Sequence, residues 1–285
     1  MAYIFPVLTS VAIAMQTSLG STQNFLALEK DHSAFDRAKA VILPVPYQRA
    51  AGVGPRSGPA AVLKASHGLE HYDEETGREI AVEFGISTLP PFPSTSLKEG
   101  AFLTKLNDLV ADLLARDKFV VTLGGDHMLT SACVAAHAKR FSNLSVLQFD
   151  AHADLRPEHA GSKFSGACVM ARVCEFLDPK RLIQAGIRSL TREEAEFIRE
   201  QGVRTYFAHN IRRGAHTRLL KYWDDAVVDD LTEEVYVTID VDVFDPSLMP
   251  ATCTPEPNGL SWAEVLQCLR KVAQKRRIVG CDIVG

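Results

Sequence analysis

Two kinds of hydrophobic pattern alternate along the chain. Short apolar runs, typical of buried strands, are separated by stretches whose apolar positions recur at helical spacing. We predict strands at 40–46, 119–123, 144–150, 181–186, 203–208, 235–240 and 277–284, and helices at 58–71, 128–140, 165–177, 191–201, 217–228 and 261–275. A further amphipathic helix contains Phe102, Leu106, Leu109, Val110, Leu113 and Leu114. This alternation implies the α/β class, a three-layer α/β/α fold with a mostly parallel central sheet.

The organisation of the chain favours a single domain. No internal repeat, low-complexity tract or linker interrupts residues 25–285. A length of 285 residues, with 46% hydrophobic and 23% charged residues, is enough for one globular unit with a sizeable core. The apolar run at residues 3–15 is too short to cross a bilayer as a helix. No basic residue precedes it, whereas a secretory signal normally has a positively charged segment before its apolar run. We expect residues 1–24 to be a poorly ordered extension, with Met15 as an alternative start, and no membrane partner.

Charge and cysteine content narrow the class of protein. The net charge is -4 and the basic residues are scattered along the chain, so we expect no nucleic-acid partner. The six cysteines show no CxxC spacing and lie mostly in apolar segments. They are typical of reduced core thiols, and we predict a cytoplasmic protein.

Three strand ends carry the residues best suited to metal binding or catalysis. Asp150, His152 and Asp154 alternate where the strand at 144–150 ends, so their side chains can converge on one point. His127 follows a glycine pair after the strand at 119–123, and Asp240 and Asp242 end the strand at 235–240, again two residues apart. Open parallel sheets place their sites at these carboxyl ends. Oxygen and imidazole ligands in such numbers suit a divalent metal, although a polar loop without metal would show some of the same residues.

With these motifs in view, the sequence resembles the ureohydrolase family, the arginases and agmatinases. The resemblance covers residues 25–285 and is carried by GPRSGPAAVLKAS (54–66), GGDH (124–127), FDAHADL (149–155) and TIDVDVFDPS (238–247). It implies a site for two Mn²⁺ ions with the ligands His127, Asp150, His152, Asp154, Asp240 and Asp242. The implied reaction is hydrolysis of a guanidino group to urea and an amine.

The charges of the implied ligands and ions balance. Four carboxylates and two divalent ions nearly cancel, and a shared water in two-metal sites loses its proton near neutral pH. In the family, Asp154 also contacts the nucleophile and can pass a proton to the departing amine. The same carboxylates buried without metal would be strongly disfavoured.

The chain departs from the family pattern at three places. Agmatinase-like relatives have a histidine at the position of Gly166, where it is a candidate proton shuttle, and a glutamate at the position of Gly285, where it pairs with the guanidinium. The family's Gly-Thr-Gly-Thr-Pro segment here begins at Ala251 and contains Cys253. Family members continue into a further helix, so we expect the chain to lack the family's C-terminal end. These departures support an alternative, a catalytically impaired metal-binding homologue with a structural or regulatory role.

The resemblance also suggests a substrate. Arginases recognise the amino-acid end of arginine with polar groups in the loop that here contains Arg156, Glu158 and His159. We therefore predict agmatine or a related guanidino amine, with Glu158 and Glu256 as candidate substrate-binding residues. A polyamine deacetylase is a further possibility, but such enzymes generally use one zinc and fewer carboxylates. The family resemblance also implies a homo-oligomer, a trimer or a hexamer.

Overall fold

The computed structural model describes residues 19–20, 22–48, 56–94, 97–212 and 222–285. Its strands are β1 Ala40–Pro44, β2 Ile86–Thr88, β3 Phe119–Leu123, β4 Leu144–Phe149, β5 Leu182–Ile187, β6 Arg204–Phe207, β7 Glu234–Asp240 and β8 Arg277–Val284. Its α-helices are α1 Lys30–Ser33, α2 Gly58–Ser66, α3 Ile80–Phe84, α4 Glu99–Ala115, α5 Leu129–Arg140, α6 Val169–Val173, α7 Arg192–Gln201, α8 Ala208–Arg212, α9 Trp223–Asp230 and α10 Trp262–Lys275. Single 3₁₀ turns occupy Phe25–Ala27, Gly166–Cys168, Pro179–Arg181 and Val241–Val243.

The strands form one parallel sheet in the order β2-β1-β3-β8-β7-β4-β5-β6. Each predicted strand is present, and the predicted α/β class with a parallel central sheet is confirmed. Strand β2 was not predicted, because its three residues lie in a polar, proline-rich stretch without a long apolar run. The central strands are β3, β8, β7 and β4, and they bring distant parts of the sequence side by side.

Helices cover both faces of the sheet. Strand β4 is buried along its whole length, as expected of a central parallel strand. Its Val146 belongs to the apolar cluster that includes Phe102 of α4, whereas Leu147 belongs to the cluster that includes Val265 of α10. Because neighbouring residues of a strand point to opposite faces, these two clusters are the two interfaces of a three-layer fold. No helix of the described residues is long and apolar enough to cross a membrane.

Several predicted helices differ from those observed. The helix predicted at 58–71 ends at Ser66, and the following residues turn so that His67 and His71 donate Nε2–H to the carbonyls of Asn24 and Leu26 at 2.9 Å each. The strand predicted at 203–208 ends at Phe207, where α8 begins. Of the helix predicted at 217–228, residues 217–221 lie outside the described residues, and α9 begins at Trp223.

The helix predicted at 165–177 was wrong in extent. Only α6 and the preceding 3₁₀ turn are helical there. Pro179 disfavours a helical conformation at Asp178, and the chain before it closes in single turns at Phe176 and Leu177. Most of the predicted extension at residues 1–24 lies outside the described residues, although the backbone N–H of Leu19 donates to the Thr88 carbonyl at 2.9 Å.

Candidate functional site

The candidate site lies at the carboxyl ends of the central strands. His127 follows β3, Asp150 follows β4 and Asp240 ends β7, while β8 lies between β3 and β7. Gly124 follows β3 in close packing, because a Cβ at this position would stand 2.2 Å from the Leu129 side chain. The fold therefore brings together residues that are more than a hundred positions apart in the sequence.

A first group of candidate metal ligands surrounds the imidazole of His127. Its Nδ1 atom lies 3.0 Å from Asp154 Oδ2, 3.2 Å from Asp150 Oδ2 and 3.5 Å from Asp240 Oδ2. The His127 side chain is only 4% exposed. His127, Asp150 and Asp154 place their ligand atoms close enough to share one ion. We call this set, together with Asp240, the inner group.

A second group lies on the other side of Asp150. His152 Nδ1 is 2.9 Å from Asp242 Oδ2 and 3.6 Å from Asp150 Oδ1. Asp150, His152 and Asp242 again place three ligand atoms within reach of one ion, and we call them the outer group. Since Asp150 belongs to both groups and uses a different oxygen in each, its carboxylate can bridge two ions.

Hydrogen bonds to both carboxylate oxygens fix the side chain of Asp150. Its Oδ1 accepts the His152 backbone N–H at 2.7 Å, and its Oδ2 accepts the Gln148 side-chain amide at 2.8 Å. Asp242 is fixed similarly, because its Oδ1 accepts the Ala151 N–H at 3.0 Å and its Oδ2 accepts the Thr254 hydroxyl at 3.2 Å. These hydrogen bonds fix the orientation of both carboxylates.

The inner group has one property that a metal ion would explain. His127 Nδ1 is buried and lacks a well-aligned hydrogen bond, although three carboxylate oxygens surround it. A buried polar atom without a partner costs free energy, and such atoms often mark an ion-binding position. Carboxylate oxygens around an imidazole nitrogen are a ligand set that fits a divalent cation.

The charges in the cluster perturb one another strongly. Burial alone would lower the pKa of His152, but hydrogen bonds and charge from Asp150 and Asp242 raise it to about 11. Burial likewise opposes protonation of His127, yet Asp150 and Asp154 raise its pKa well above the usual range. Burial and the charge of Asp150 together raise the pKa of Asp154 to about 7. The opposing directions of these pKa shifts show that the imidazoles and carboxylates interact strongly within one cluster.

Asp154 reaches the cluster through an unusual backbone conformation. Its φ is +55°, in the left-handed region that aspartate adopts more readily than most residues. Its carbonyl accepts the backbone N–H groups of Met170 and Ala171 at 2.9 and 3.2 Å. The start of α6 therefore secures a turn that directs the Asp154 carboxylate toward His127.

A cavity of about 390 Å³ opens over both groups. Its wall includes Asp126, Arg156, His159, Gly166 and Thr254, besides His127, His152, Asp154, Asp240 and Asp242. A volume of this size suits a small-molecule substrate. Sequence reasoning overlooked Asp126, Arg156 and Thr254 as cavity residues.

The two predicted substrate-binding carboxylates lie in different surroundings. Glu256 Oε1 is 3.6 Å from His152 Nε2, so this side chain stands beside the outer group. Glu158 is exposed and is not among the described residues that line the cavity. Glu256 is not among the residues that line the cavity either, so its proximity to His152 alone favours it over Glu158 as a group near the reacting end of a substrate.

The two glycines that depart from the family pattern differ in the space around them. A Cβ at Gly166 would lie 3.4 Å from the His127 Cβ and 3.5 Å from Asp126 Oδ1, which is ordinary contact. A Cβ at Gly285 would lie 2.5 Å from Asp240 Oδ1, and this glycine has a φ of +116°. Position 166 can therefore carry a side chain in the observed backbone, whereas position 285 cannot without rearrangement.

Comparison with known proteins agrees with the motifs. A sequence model of the Arginase family matches residues 38–285. The chain is 36% identical over 269 residues to N(1)-aminopropylagmatine ureohydrolase of Synechocystis sp., covering 92% of this chain and 85% of the relative. It is 31% identical over 259 residues to an agmatinase of Bacillus cereus, covering 90% and 86% of the two. The solved agmatine ureohydrolase of Thermoplasma volcanium has a TM-score of 0.78 and 25% identity, covering 94% of this chain and 85% of that one. The chain belongs to the arginase family.

Proposed function

We propose that this protein is a binuclear manganese hydrolase that cleaves the guanidino group of agmatine or a related guanidino amine, giving urea and an amine or polyamine. The observation that carries the proposal is the pair of candidate ligand groups sharing Asp150, with the buried Nδ1 of His127 facing three carboxylates in one of them. Relatives named agmatinase and N(1)-aminopropylagmatine ureohydrolase support this substrate class.

The ligand set supports the choice of metal. His127, Asp150, Asp154 and Asp240 would hold one Mn²⁺, and Asp150, His152 and Asp242 the other. Carboxylate-rich ligation with one imidazole per ion suits Mn²⁺. When bound, the pair of ions would supply a hydroxide nucleophile at neutral pH by lowering the pKa of a shared water.

The protein's own residues would bind the substrate and move the proton. The carboxylates lining the cavity favour approach of a cationic guanidinium, and Glu256 adds negative charge beside His152. Asp154 Oδ2 faces His127, and we assign its Oδ1 the role of taking the nucleophile's proton and passing it to the leaving amine. A C–O bond forms, the C–N bond to the alkyl chain breaks, and the amine leaves with that proton.

The distal end of the substrate would extend toward the cavity mouth. A guanidino amine carries a second cation there, for which Glu158 and Glu256 remain the candidate partners. An assay of agmatine, aminopropylagmatine and arginine at equal concentrations tests this assignment. We expect either amine to be hydrolysed at least about tenfold faster than arginine, since an uncompensated carboxylate near acidic groups disfavours binding. A preference for arginine would contradict it.

Substitutions at Gly166 test whether the chain is an active enzyme or an impaired homologue. No side chain from this position can carry a proton across the cavity, and a positioned acid or base typically contributes about 10² to 10⁴ in rate. We expect the unaltered chain to release urea from agmatine with Mn²⁺ bound, because water can occupy the space at Gly166. The Gly166→His variant fits the backbone and should be faster, and Gly166→Gln is the matched control without a titrating ring.

The outcomes separate the two functions. Urea release by the unaltered chain supports the hydrolase. Urea release only by Gly166→His would mean that the chain binds metal but lacks its proton carrier, which is the impaired homologue with a structural or regulatory role. No urea from either protein, with Mn²⁺ bound, would contradict the proposed reaction.

We further propose a cytoplasmic homo-oligomer, a trimer or a hexamer. The six cysteines are all free thiols, as suits a reducing compartment. Exposed apolar side chains such as Leu69, Tyr72 and Phe84 are candidates for burial between subunits. Light scattering coupled to size-exclusion chromatography would measure the assembly, and a monomer would contradict this part of the proposal.

A further inference from the structure

A buried chain of polar groups lies behind His127, on the side away from the ligand cluster. His127 Nε2 is 3.0 Å from the Thr238 hydroxyl, which is 2.6 Å from Asp282 Oδ1. The other oxygen of Asp282 is 2.7 Å from the Tyr236 hydroxyl. Thr238 and Tyr236 lie on β7 and Asp282 on β8, so the chain runs across two hydrogen-bonded strands, where Thr238 pairs with Asp282 in register. Neither Asp282 nor Thr238 is exposed to solvent.

The direction of these hydrogen bonds follows from the groups involved. A hydroxyl has one proton, and a carboxylate only accepts. The short contact to Asp282 therefore takes the proton of Thr238, whose oxygen is then left to accept. It follows that His127 donates from Nε2, and in the neutral ring Nδ1 becomes the atom with a free lone pair. That is the atom that faces Asp150, Asp154 and Asp240.

We propose that Asp282, acting through Thr238, is a positioning residue that fixes the tautomer and ring orientation of His127 for metal binding at the inner group. The inference rests on the proposed metal centre and adds residues that do not touch an ion or the substrate. Partners of this kind on a metal-binding histidine commonly account for about 10- to 100-fold in metal affinity.

The burial of Asp282 supports a role beyond packing. The carboxylate is fully buried, and among the described residues it contacts hydroxyl groups rather than a lysine or arginine. A buried carboxylate is costly unless its charge is used or compensated. An ion held by His127 would provide compensating positive charge across the Thr238 hydroxyl, which connects the cost of burying Asp282 to the site.

Tyr236 provides a matched control. It also donates a hydrogen bond to Asp282, but it is not between Asp282 and His127. A Tyr236→Phe variant removes one hydroxyl from the same buried carboxylate and leaves the path through Thr238 intact. If the residues behind His127 only contributed to stability, loss of either hydroxyl would have similar consequences.

The test is titration of the metal-free full-length protein with Mn²⁺ by isothermal calorimetry, with thermal unfolding and near-UV circular dichroism as checks on folding. For Thr238→Val and Asp282→Asn we expect affinity for one of the two ions to fall by about 10- to 100-fold, while the other ion binds as before. Thr238→Ser should restore the affinity, and Tyr236→Phe should stay within about threefold of the unaltered protein.

The proposal would be overturned by unchanged affinity in a folded Thr238→Val protein, or by an equal loss in Tyr236→Phe. If Thr238→Val does not fold, the comparison of Asp282→Asn with Tyr236→Phe decides the matter, because the former changes the carboxylate on the path and the latter leaves the path through Thr238 intact. Failure of the proposed function is distinguishable: an unaltered protein that takes up two Mn²⁺ ions without releasing urea would contradict the reaction and leave the positioning role standing.

Discussion

The inner and outer ligand groups use the same chemistry but are supported by different parts of the fold. Each presents a histidine Nδ1 to aspartate oxygens, and the two share Asp150. His127 is 4% exposed and its Nε2 meets the strand residue Thr238, whereas His152 is 25% exposed and its Nε2 faces Glu256 on a loop. The inner group is thus preorganised by the sheet, and the outer group by the loops over it.

Arg188 is the main connection between those loops. Its guanidinium donates to the Asp242 carbonyl at 2.7 Å and to the Glu256 carbonyl at 2.8 Å, and further bonds reach Val243 and Pro257. This side chain joins the segment that carries Asp242 to the one that carries Glu256. The difference between the groups teaches that the geometry of the outer group depends on contacts between residues distant in sequence.

The largest effect on metal binding and urea release is expected at Asp150, because this residue belongs to both groups. Asp150→Asn removes the negative charge common to both, so we expect both ions to be lost and urea release to fall by at least about 10³-fold, more than loss of a typical single electrostatic contact. Metal content after dialysis and the urea assay measure this. Retention of one tightly bound ion would show that Asp150 is not shared.

Acidity should weaken both groups, but through different residues. The pKa of His152 is raised to about 11 and that of Asp154 to about 7, so in the metal-free protein both hold protons at slightly acidic pH. Metal must displace these protons, hence Mn²⁺ affinity should rise with pH between 6 and 8, by about tenfold per unit for each proton released. Above pH 7 the contribution of Asp154 should fade while that of His152 continues.

Calorimetry in buffers of different ionisation enthalpy counts the protons released. The Asp154→Asn variant is the control, because it should remove the part of the pH dependence that fades above pH 7. An affinity independent of pH, with no proton release, would contradict the assigned protonation of the metal-free site.

The smallest effect on metal affinity is expected for a substitution at Arg188, and it should distinguish the outer group from the inner group most cleanly. Arg188→Lys keeps the positive charge but cannot reach several carbonyls at once. We expect affinity for the outer ion to fall by about tenfold, at the low end for outer-shell residues, with the inner ion unchanged. Arg181, whose guanidinium donates to the Ser142 carbonyl on the surface, offers a matched Arg181→Lys control. Equal loss at both ions would contradict the separation.

The sequence predicted the parts of the molecule that depend on local periodicity. Alternation within one strand end predicted that Asp150, His152 and Asp154 converge on one point. The structure divides them instead, because Asp150 and Asp154 face His127, whereas His152 lies with Asp150 and Asp242. Strand pairing is not local, so the contact of Thr238 with Asp282, 44 positions away, had no signature beyond an aspartate in an apolar strand. For the same reason Arg188, 68 positions from Glu256, was overlooked.

Other predictions differ from the structure where contacts from elsewhere in the chain, a proline or the local turn override the conformation that the composition favours. The stretch 165–177 has helical composition, but the Asp154 carbonyl takes the N–H groups at the start of α6 and Pro179 limits its end. Glu158 shares a loop with cavity residues, yet it points to solvent while Arg156 and His159 line the wall. Loop side chains follow the local turn, which hydrophobic pattern does not specify.

The most direct test of the account is the Mn²⁺ content and electron paramagnetic resonance spectrum of the unaltered protein. We predict two ions per chain and a spectrum with exchange coupling between them, as expected of ions about 3.5 to 4 Å apart that share a carboxylate. Two ions without coupling would contradict the bridging role of Asp150. A single ion, or none at saturating Mn²⁺, would contradict the two-metal centre itself.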